Sequence, residues 1–153
     1  IRLAASPGVS RLWLAPRLAR LREACPGVGF TVSVSEALSD LSRNQCDIAI
    51  RYCRPDDYDN EARVLWHEEL AVIARGADAT ALTLASPAEL LTAHALLEHP
   101  AFSWQRLAGL VVAHPLRVPA KSYVLLRSAA GRERGVVQAC AEVLAAMAEM
   151  PEG

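Results

Sequence analysis

Ile48, Ala49 and Ile50 form a continuous apolar run, entered by Asp47 and left by Arg51 and Tyr52. A strand covered on both faces of a parallel sheet shows this unbroken pattern. Ile1 to Ala5 reads the same way. Phe30, Val32 and Val34 instead alternate with Thr31 and Ser33, the period of a half-buried strand. Between these strands Trp13, Leu14, Leu18 and Leu21 recur at helical spacing. Pro16 is placed as a first-turn residue of the main helix, with Ser10 to Ala15 as a shorter preliminary turn and Cys25-Pro26-Gly27 as the stop. Ser35-Glu36 opens a short helix carrying Ala37, Leu38 and Leu41, closed at Asn44. The chain up to Ile50 therefore reads strand–helix–strand–helix–strand, and right-handed crossovers make that a three-stranded parallel sheet with helices on its faces. Ligands of such sheets bind outside the carboxyl ends of the strands, where Arg51 and Tyr52 are expected to stand.

The pattern then loosens. Arg54 to Asn60 is polar, rich in Asp and holds Pro55, so it reads as a loop. Arg63 to Trp66 and Leu70 to Ala74 are two strand candidates separated by His67-Glu68-Glu69. Ser86-Pro87-Ala88-Glu89 combines a capping Ser, an early Pro and a Glu three positions on, which starts a helix running to about His94. Phe102 to Trp104 and Val111-Val112 are short strand candidates, and Ser122 to Leu126 is a stronger one. Val136, Val137, Cys140, Leu144 and Met147 form one stripe of a final amphipathic helix from about Arg134 to Glu149.

With 153 residues, 52% of them hydrophobic, the chain can bury a core as one domain or two small lobes. No window is the long uncharged run of a membrane span. A formal net charge of −1 excludes a nucleic-acid surface spread over the whole chain. Arginine clusters locally (Arg11, Arg17, Arg20, Arg22; Arg127, Arg132, Arg134), which reads as solvated helix faces and a helix start. The four cysteines have neither paired spacing nor a histidine at zinc-finger spacing, so small buried hydrophobes in a reducing compartment are expected. The chain shows no signal peptide and begins with Ile1, so a fragment of something longer is expected.

No enzyme constellation stands out: no GxSxG elbow, no HExxH, no phosphate loop, no GxGxxG. His67, His94, His99 and His114 are scattered without a matched partner. Asp56, Asp57 and Asp59 lack the alternating ligands and glycine of a calcium loop. What remains is binding. The Ser6 to Ser10 turn, Ser35 and Arg51 all fall at the carboxyl ends of the first three strands. Helix N-termini favour anions, and Arg51 can add a charge-assisted bond to a carboxylate. The alternative is that the serines only cap helices and Arg51 pairs with a loop aspartate.

The runs Ile1 to Ala5, Trp13-Leu14-Ala15-Pro16-Arg17-Leu18, Pro26 and Asp47 to Tyr52 resemble the effector-binding domain of LysR-type transcriptional regulators. Glu68 to Val72, the Ser86-Pro87 start with Ala95 to His99, Ser103-Trp104, Val118-Pro119 and Ser122 to Leu125 fit as well. The nearest subgroup is that of the glycine-cleavage activator and the β-lactamase regulator. The resemblance implies an α/β, periplasmic-binding-protein-like (type II) fold of two lobes, with residues 1–62 and 118–153 in the first lobe and 63–117 as crossing strands and a partial second lobe. The second lobe is expected to be incomplete, because the chain passes near residues 105–112 straight to the family's closing segment. A small anionic effector, carboxylate or amino-acid-like, is implied in an interlobe cleft, held by Ser6, Gly8, Val9, Ser10, Ser35, Arg51 and Tyr123.

Gly8 departs from the subgroup, which carries a hydroxyl residue five positions before the tryptophan; Tyr123 matches a tyrosine of the β-lactamase regulator's returning strand. The same resemblance implies a cytoplasmic homodimer or higher homo-oligomer, paired through the helix Pro16 to Ala24. DNA is reached only through a helix-turn-helix outside this chain. No membrane partner, cofactor, metal or catalytic activity is expected. A transport solute-binding protein of the same fold is the alternative.

Overall fold

In the computed structural model of the chain, residues 1–35, 39–54, 57, 62–83, 86, 89 and 110–149 are described. In chain order the elements are β1 (Arg2–Ala5), α1 (Pro7–Val9), a π-helical turn (Ser10–Leu14), α2 (Ala15–Ala24), β2 (Thr31–Val34), α3 (Ser39–Ser42) and β3 (Ile48–Cys53). Then come β4 (Arg63–Arg75), α4 (Gly76–Thr83), β5 (Leu110–Arg127), α5 (Ala129–Arg132) and α6 (Gly135–Ala148). The strands form one sheet in the order β2-β1-β3-β5-β4. β1 pairs parallel with both β2 and β3, the arrangement expected from the apolar runs. β5 lies antiparallel to β3, from Ile48 opposite Arg127 to Cys53 opposite Ser122.

The chain divides into two compact units, one built from Ile1–Glu68 and Lys121–Gly153, the other from Glu69–Ala120. In the first unit, one face of the sheet (Leu3, Ala5, Ile48, Ile50, Leu125) packs with Leu14, Leu21, Val137, Cys140 and Leu144 from the helices. The opposite face carries two smaller clusters, Ala4, Cys46 and Ala49, and Cys53, Val124 and Leu126, both joined by Leu41. Because side chains alternate along a strand, β3 divides cleanly, with Ile48 and Ile50 on one face and Ala49 and Cys53 on the other. In the second unit Leu82 and Ala113 are buried together, with Val72, Ala74 and Ala79 against them.

The helical stretch after β1 starts earlier than expected, at Pro7, while Pro16 is a first-turn residue of α2 behind the short preliminary turn Ser10–Leu14, as expected. A proline cannot donate to the preceding turn and its ring crowds the carbonyl four residues back. The π-helical turn accommodates this, with the Ala15 N–H reaching the Ser10 carbonyl. Arg63–Arg75 is one strand, not two, so the polar His67-Glu68-Glu69 does not interrupt it. Two of these side chains find partners in the sheet itself: His67 Nδ1 lies 2.9 Å from Ser122 Oγ, and Glu68 bonds Tyr52.

Val111-Val112 and Ser122 to Leu126 likewise belong to a single strand. Pro115 and Pro119 are both exposed within it, and the Leu116 N–H is taken by His114 Nδ1 at 3.0 Å. The stripe of the last helix is Val137, Cys140, Ala141, Leu144, Ala145 and Met147, while Val136 is exposed. The predicted capping box is present: Glu89 Oε2 accepts from the Ser86 N–H at 2.6 Å and Ser86 Oγ from the Glu89 N–H at 3.3 Å. The helix expected to follow to His94, the Phe102 to Trp104 strand and most of the 105–112 junction lie outside the described residues.

Asp47 is the first unit's polar knot. Its buried carboxylate accepts from the Arg2 N–H (2.8 Å), Arg2 Nη2 (3.1 Å) and Arg134 Nη1 (3.2 Å). Its own N–H donates to the Arg2 carbonyl at 2.8 Å, and its carbonyl accepts from Ser128 N at 3.1 Å. Burial pushes the Asp47 carboxyl up, but the Arg2 N–H and the two guanidiniums outweigh it and hold it below the usual carboxylate range. Ser128 caps α5 through the Gly131 N–H at 3.0 Å. A Cβ on Gly131 would lie 2.7 Å from the Asp47 carbonyl oxygen, so only glycine admits this approach.

Candidate functional site

The sheet register aligns three of the expected residues. Ala5 stands opposite Val34 on β2 and Ile50 on β3, so Ser6, Ser35 and Arg51 each lie one residue beyond that line. The Ala5 carbonyl gathers Ser35 and a further expected residue, Ser10, accepting from the Ser35 N–H at 2.9 Å and from Ser10 Oγ at 3.3 Å. Ser6 caps α1: its Oγ accepts from the Val9 N–H at 3.4 Å, and its carbonyl accepts from the Ser10 N–H at 2.8 Å. Gly8 lies within this first turn, and the Val9 side chain is buried in the main core. The serine turn is thus a helix start with its donors turned to the carboxyl end of β1, and its hydroxyls already serve the backbone.

Arg51 does not stand outside the strand as the sequence pattern suggested. β3 continues through Tyr52 to Cys53, and Arg51 pairs with Val124 across the ladder. The side chain is 4% exposed, and its Nη1 donates to the Ile50 carbonyl at 3.1 Å. By alternation it shares a face with Ala49 and Cys53, whereas Tyr52 and Tyr123 lie on the other. Ser6, Ser35 and Arg51 therefore share a level, while Tyr123 belongs to a separate cluster.

That cluster is an aromatic row. Trp13 of the π-helical turn meets Trp66 at 5.2 Å between ring centroids, Trp66 stacks on Tyr123 at 4.9 Å, and Tyr123 meets Tyr52 at 4.9 Å. Offset and tilted rings at these spacings add to the burial of their area. The Arg17 guanidinium lies 5.2 Å over Trp13 and the Lys121 ammonium 5.8 Å over Tyr52, closing both ends with a cation. Burial, then the hydrogen bond to Glu68, pushes the Tyr52 phenol up to about 12. Burial, then the Glu68 charge, does the same for Tyr123. Glu68 Oε2 is buried with no hydrogen-bond partner among the described residues. An unpaired buried acceptor of this kind is suited to a donor from a ligand.

Sequence reading had not singled out Trp66 or Glu68. Their spacing of two on a strand, which puts both side chains on one face, was the available signal, masked by the break assumed at His67. Among the described residues no group of three or more His, Cys, Asp or Glu side chains could hold a metal ion. No helix among them is long and apolar enough to cross a membrane.

The architecture is the type II periplasmic-binding-protein-like α/β fold. The chain belongs to the LysR substrate binding domain family, which it matches over residues 1–148. The effector domain of the transcriptional regulator AmpR of Pseudomonas aeruginosa is similar in structure, with a TM-score of 0.71 at 21% identity, covering 97% of this chain and 94% of that one. The AmpR effector binding domain from Citrobacter freundii gives 0.70 at 12% identity, covering 97% of each chain. CrgA, a LysR-type transcriptional regulator from Neisseria meningitidis, gives 0.68 at 16% identity, covering 98% of this chain and 68% of that one. No curated protein matches the chain by sequence. The family is one of regulator effector domains, and the transport alternative is not favoured.

Proposed function

We propose that this chain is the ligand-sensing domain of a cytoplasmic LysR-type regulator that binds a small carboxylate or amino-acid-like effector. The observation that carries this reading is the alignment of Ser6, Ser35 and Arg51 at one level across three adjacent strands, with the first helix starting there. The Gly8 N–H at that helix start, in a turn held by the Val9 and Ser10 N–H bonds to Ser6, suits a carboxylate together with the Ser6 and Ser35 hydroxyls and the Arg51 cation. Tyr123 contributes from the aromatic row, where the unpartnered Glu68 oxygen suits the ammonium of an amino-acid-like ligand. Binding is relayed to DNA through a helix-turn-helix outside this chain, and it can act as a signal only by favouring one conformation over another.

The effector domain self-associates in this reading. β2 is an edge strand, and its exposed Val34 lines an open apolar groove with Pro7, Leu14, Leu18 and Val32. A second copy presenting α2 fits that face.

A thermal-shift screen of amino acids, short peptides and organic acids tests the proposal, with calorimetry on any hit. Carboxylate-bearing hits that lose at least tenfold in affinity with Ser6→Ala or Tyr123→Phe are expected. A screen in which only cationic or neutral compounds stabilise the chain refutes the carboxylate assignment.

A further inference from the structure

Cys25 and Cys140 place their sulfurs 3.1 Å apart in the main core of the first unit, with the Cys140 thiol donating to Cys25. Cys25 closes α2, its N–H bonding the Leu21 carbonyl at 3.0 Å, just before Pro26 and a left-handed Gly27 (φ 75°). Cys140 lies on the inward face of α6, beside Val137 and Leu144. A disulfide needs sulfurs about 2.05 Å apart, so these two must approach by roughly 1 Å, a displacement within reach of small side-chain torsions. Two thiolates sharing a tetrahedral zinc at about 2.3 Å from each sulfur would sit farther apart than this. The sulfur separation thus favours a covalent link over a metal. Cys46 and Cys53 belong to the clusters on the sheet's other face, so neither competes as a partner.

We propose that Cys25 and Cys140 are a redox-active dithiol that closes into an intramolecular disulfide, tying the end of α2 to the middle of α6. Cys140 is fully buried, and burial followed by the Cys25 interaction pushes its thiol up to about 12, so it keeps its proton. Cys25 stands at a helix end beside a turn and is the thiol that a small hydroperoxide meets first. With hydrogen peroxide the Cys25 sulfur takes one oxygen as the O–O bond breaks, and the departing hydroxide gains the Cys25 proton to become water. The Cys140 sulfur then attacks the Cys25 sulfur, the S–O bond breaks, and hydroxide leaves with the Cys140 proton as a second water. Two thiols and one peroxide become one disulfide and two waters.

Burial makes the reaction wait for opening of the Cys25-Pro26-Gly27 turn, so it runs slower than with an exposed thiol and accelerates in mild urea. The link spans a sequence separation of 115 residues, so it restricts the unfolded chain strongly.

The test treats the whole chain with a slight excess of hydrogen peroxide, then alkylates it in denaturant for intact mass and peptide mapping. Two of the four thiols should be lost, in a monomolecular Cys25–Cys140 crosslink reversed by dithiothreitol. The melting temperature should rise by roughly 10 °C. Cys140→Ser should stop at a sulfenic acid trapped by dimedone, and Cys46→Ser should crosslink like the parent. Four alkylated thiols after oxidation, a bond through Cys46 or Cys53, or over-oxidation of Cys25 without a crosslink overturns the proposal.

Discussion

Replacing Asp47 by Asn removes one charge and almost no volume, so it isolates the electrostatics of the knot between Arg2 and Arg134. The bond from the Arg2 N–H at 2.8 Å is charge-assisted and buried on the acceptor side, worth about 1.5–3 kcal/mol. The two guanidiniums lie at 3.1 and 3.2 Å, but their side chains are 49% exposed, so each adds no more than about 1 kcal/mol. Asparagine keeps an acceptor for the Arg2 N–H yet must point its amide donors toward cations. Together these terms predict a loss of about 2–3 kcal/mol at neutral pH, a fall in melting temperature of roughly 4–12 °C for a chain of this size.

Urea titration with an unchanged m-value measures the loss, and pH supplies its signature. The folded-state carboxyl lies below its unfolded value, so its contribution is complete above the ordinary carboxylate range and disappears as pH falls through the depressed folded value. Parent and Asp47→Asn should therefore converge in acid. A gap below about 0.5 kcal/mol at pH 7, or one that persists undiminished at pH 2, refutes the reasoning.

Leu144→Ala empties a fully buried position of α6 and should destabilise by about 3 kcal/mol in the same assay. Gly131→Ala drives a methyl against the Asp47 carbonyl oxygen, so a loss of about 1–3 kcal/mol is expected in chemical denaturation. In an alkaline titration followed by ultraviolet absorbance, Tyr52 and Tyr123 should ionise near 12. Both are raised, so the stability they contribute is complete below the unfolded value of about 10 and is lost as pH rises through the folded one. Tyr123→Phe should remove one of the late-ionising groups and leave the other.

The parallel core was legible because its signal is local. Ile48-Ala49-Ile50 and Ile1 to Ala5 had to be buried on both faces, and the turn chemistry between them left one order of elements. The capping box at Ser86 was legible for the same reason, since both partners lie within one turn. What could not be read was decided across the sheet. His67 and Glu68 looked like a break because their partners, Ser122 and Tyr52, are distant in sequence.

The end of β3 was misplaced because pairing with β5 as far as Cys53 opposite Ser122 extends it beyond what its own residues specify. Val136 was counted as core because helical spacing alone cannot say which edge of an apolar stripe meets solvent. Of the expected site, the serine level was visible, while the separation of Arg51 from Tyr123 onto opposite faces required the register.

Asp47 also sets an order of events in time. The first unit is assembled from two stretches separated by the second, and β3 obtains its antiparallel neighbour only from Ser122 to Arg127. A nascent chain that has emerged through Cys53 holds its parallel strands and the Arg2 half of the knot, but neither Arg134 nor the helix bearing Leu144. The apolar face destined for α6 stays bare throughout that interval, a high-contact-order arrangement that folds late and calls for a chaperone or rapid elongation to shield it.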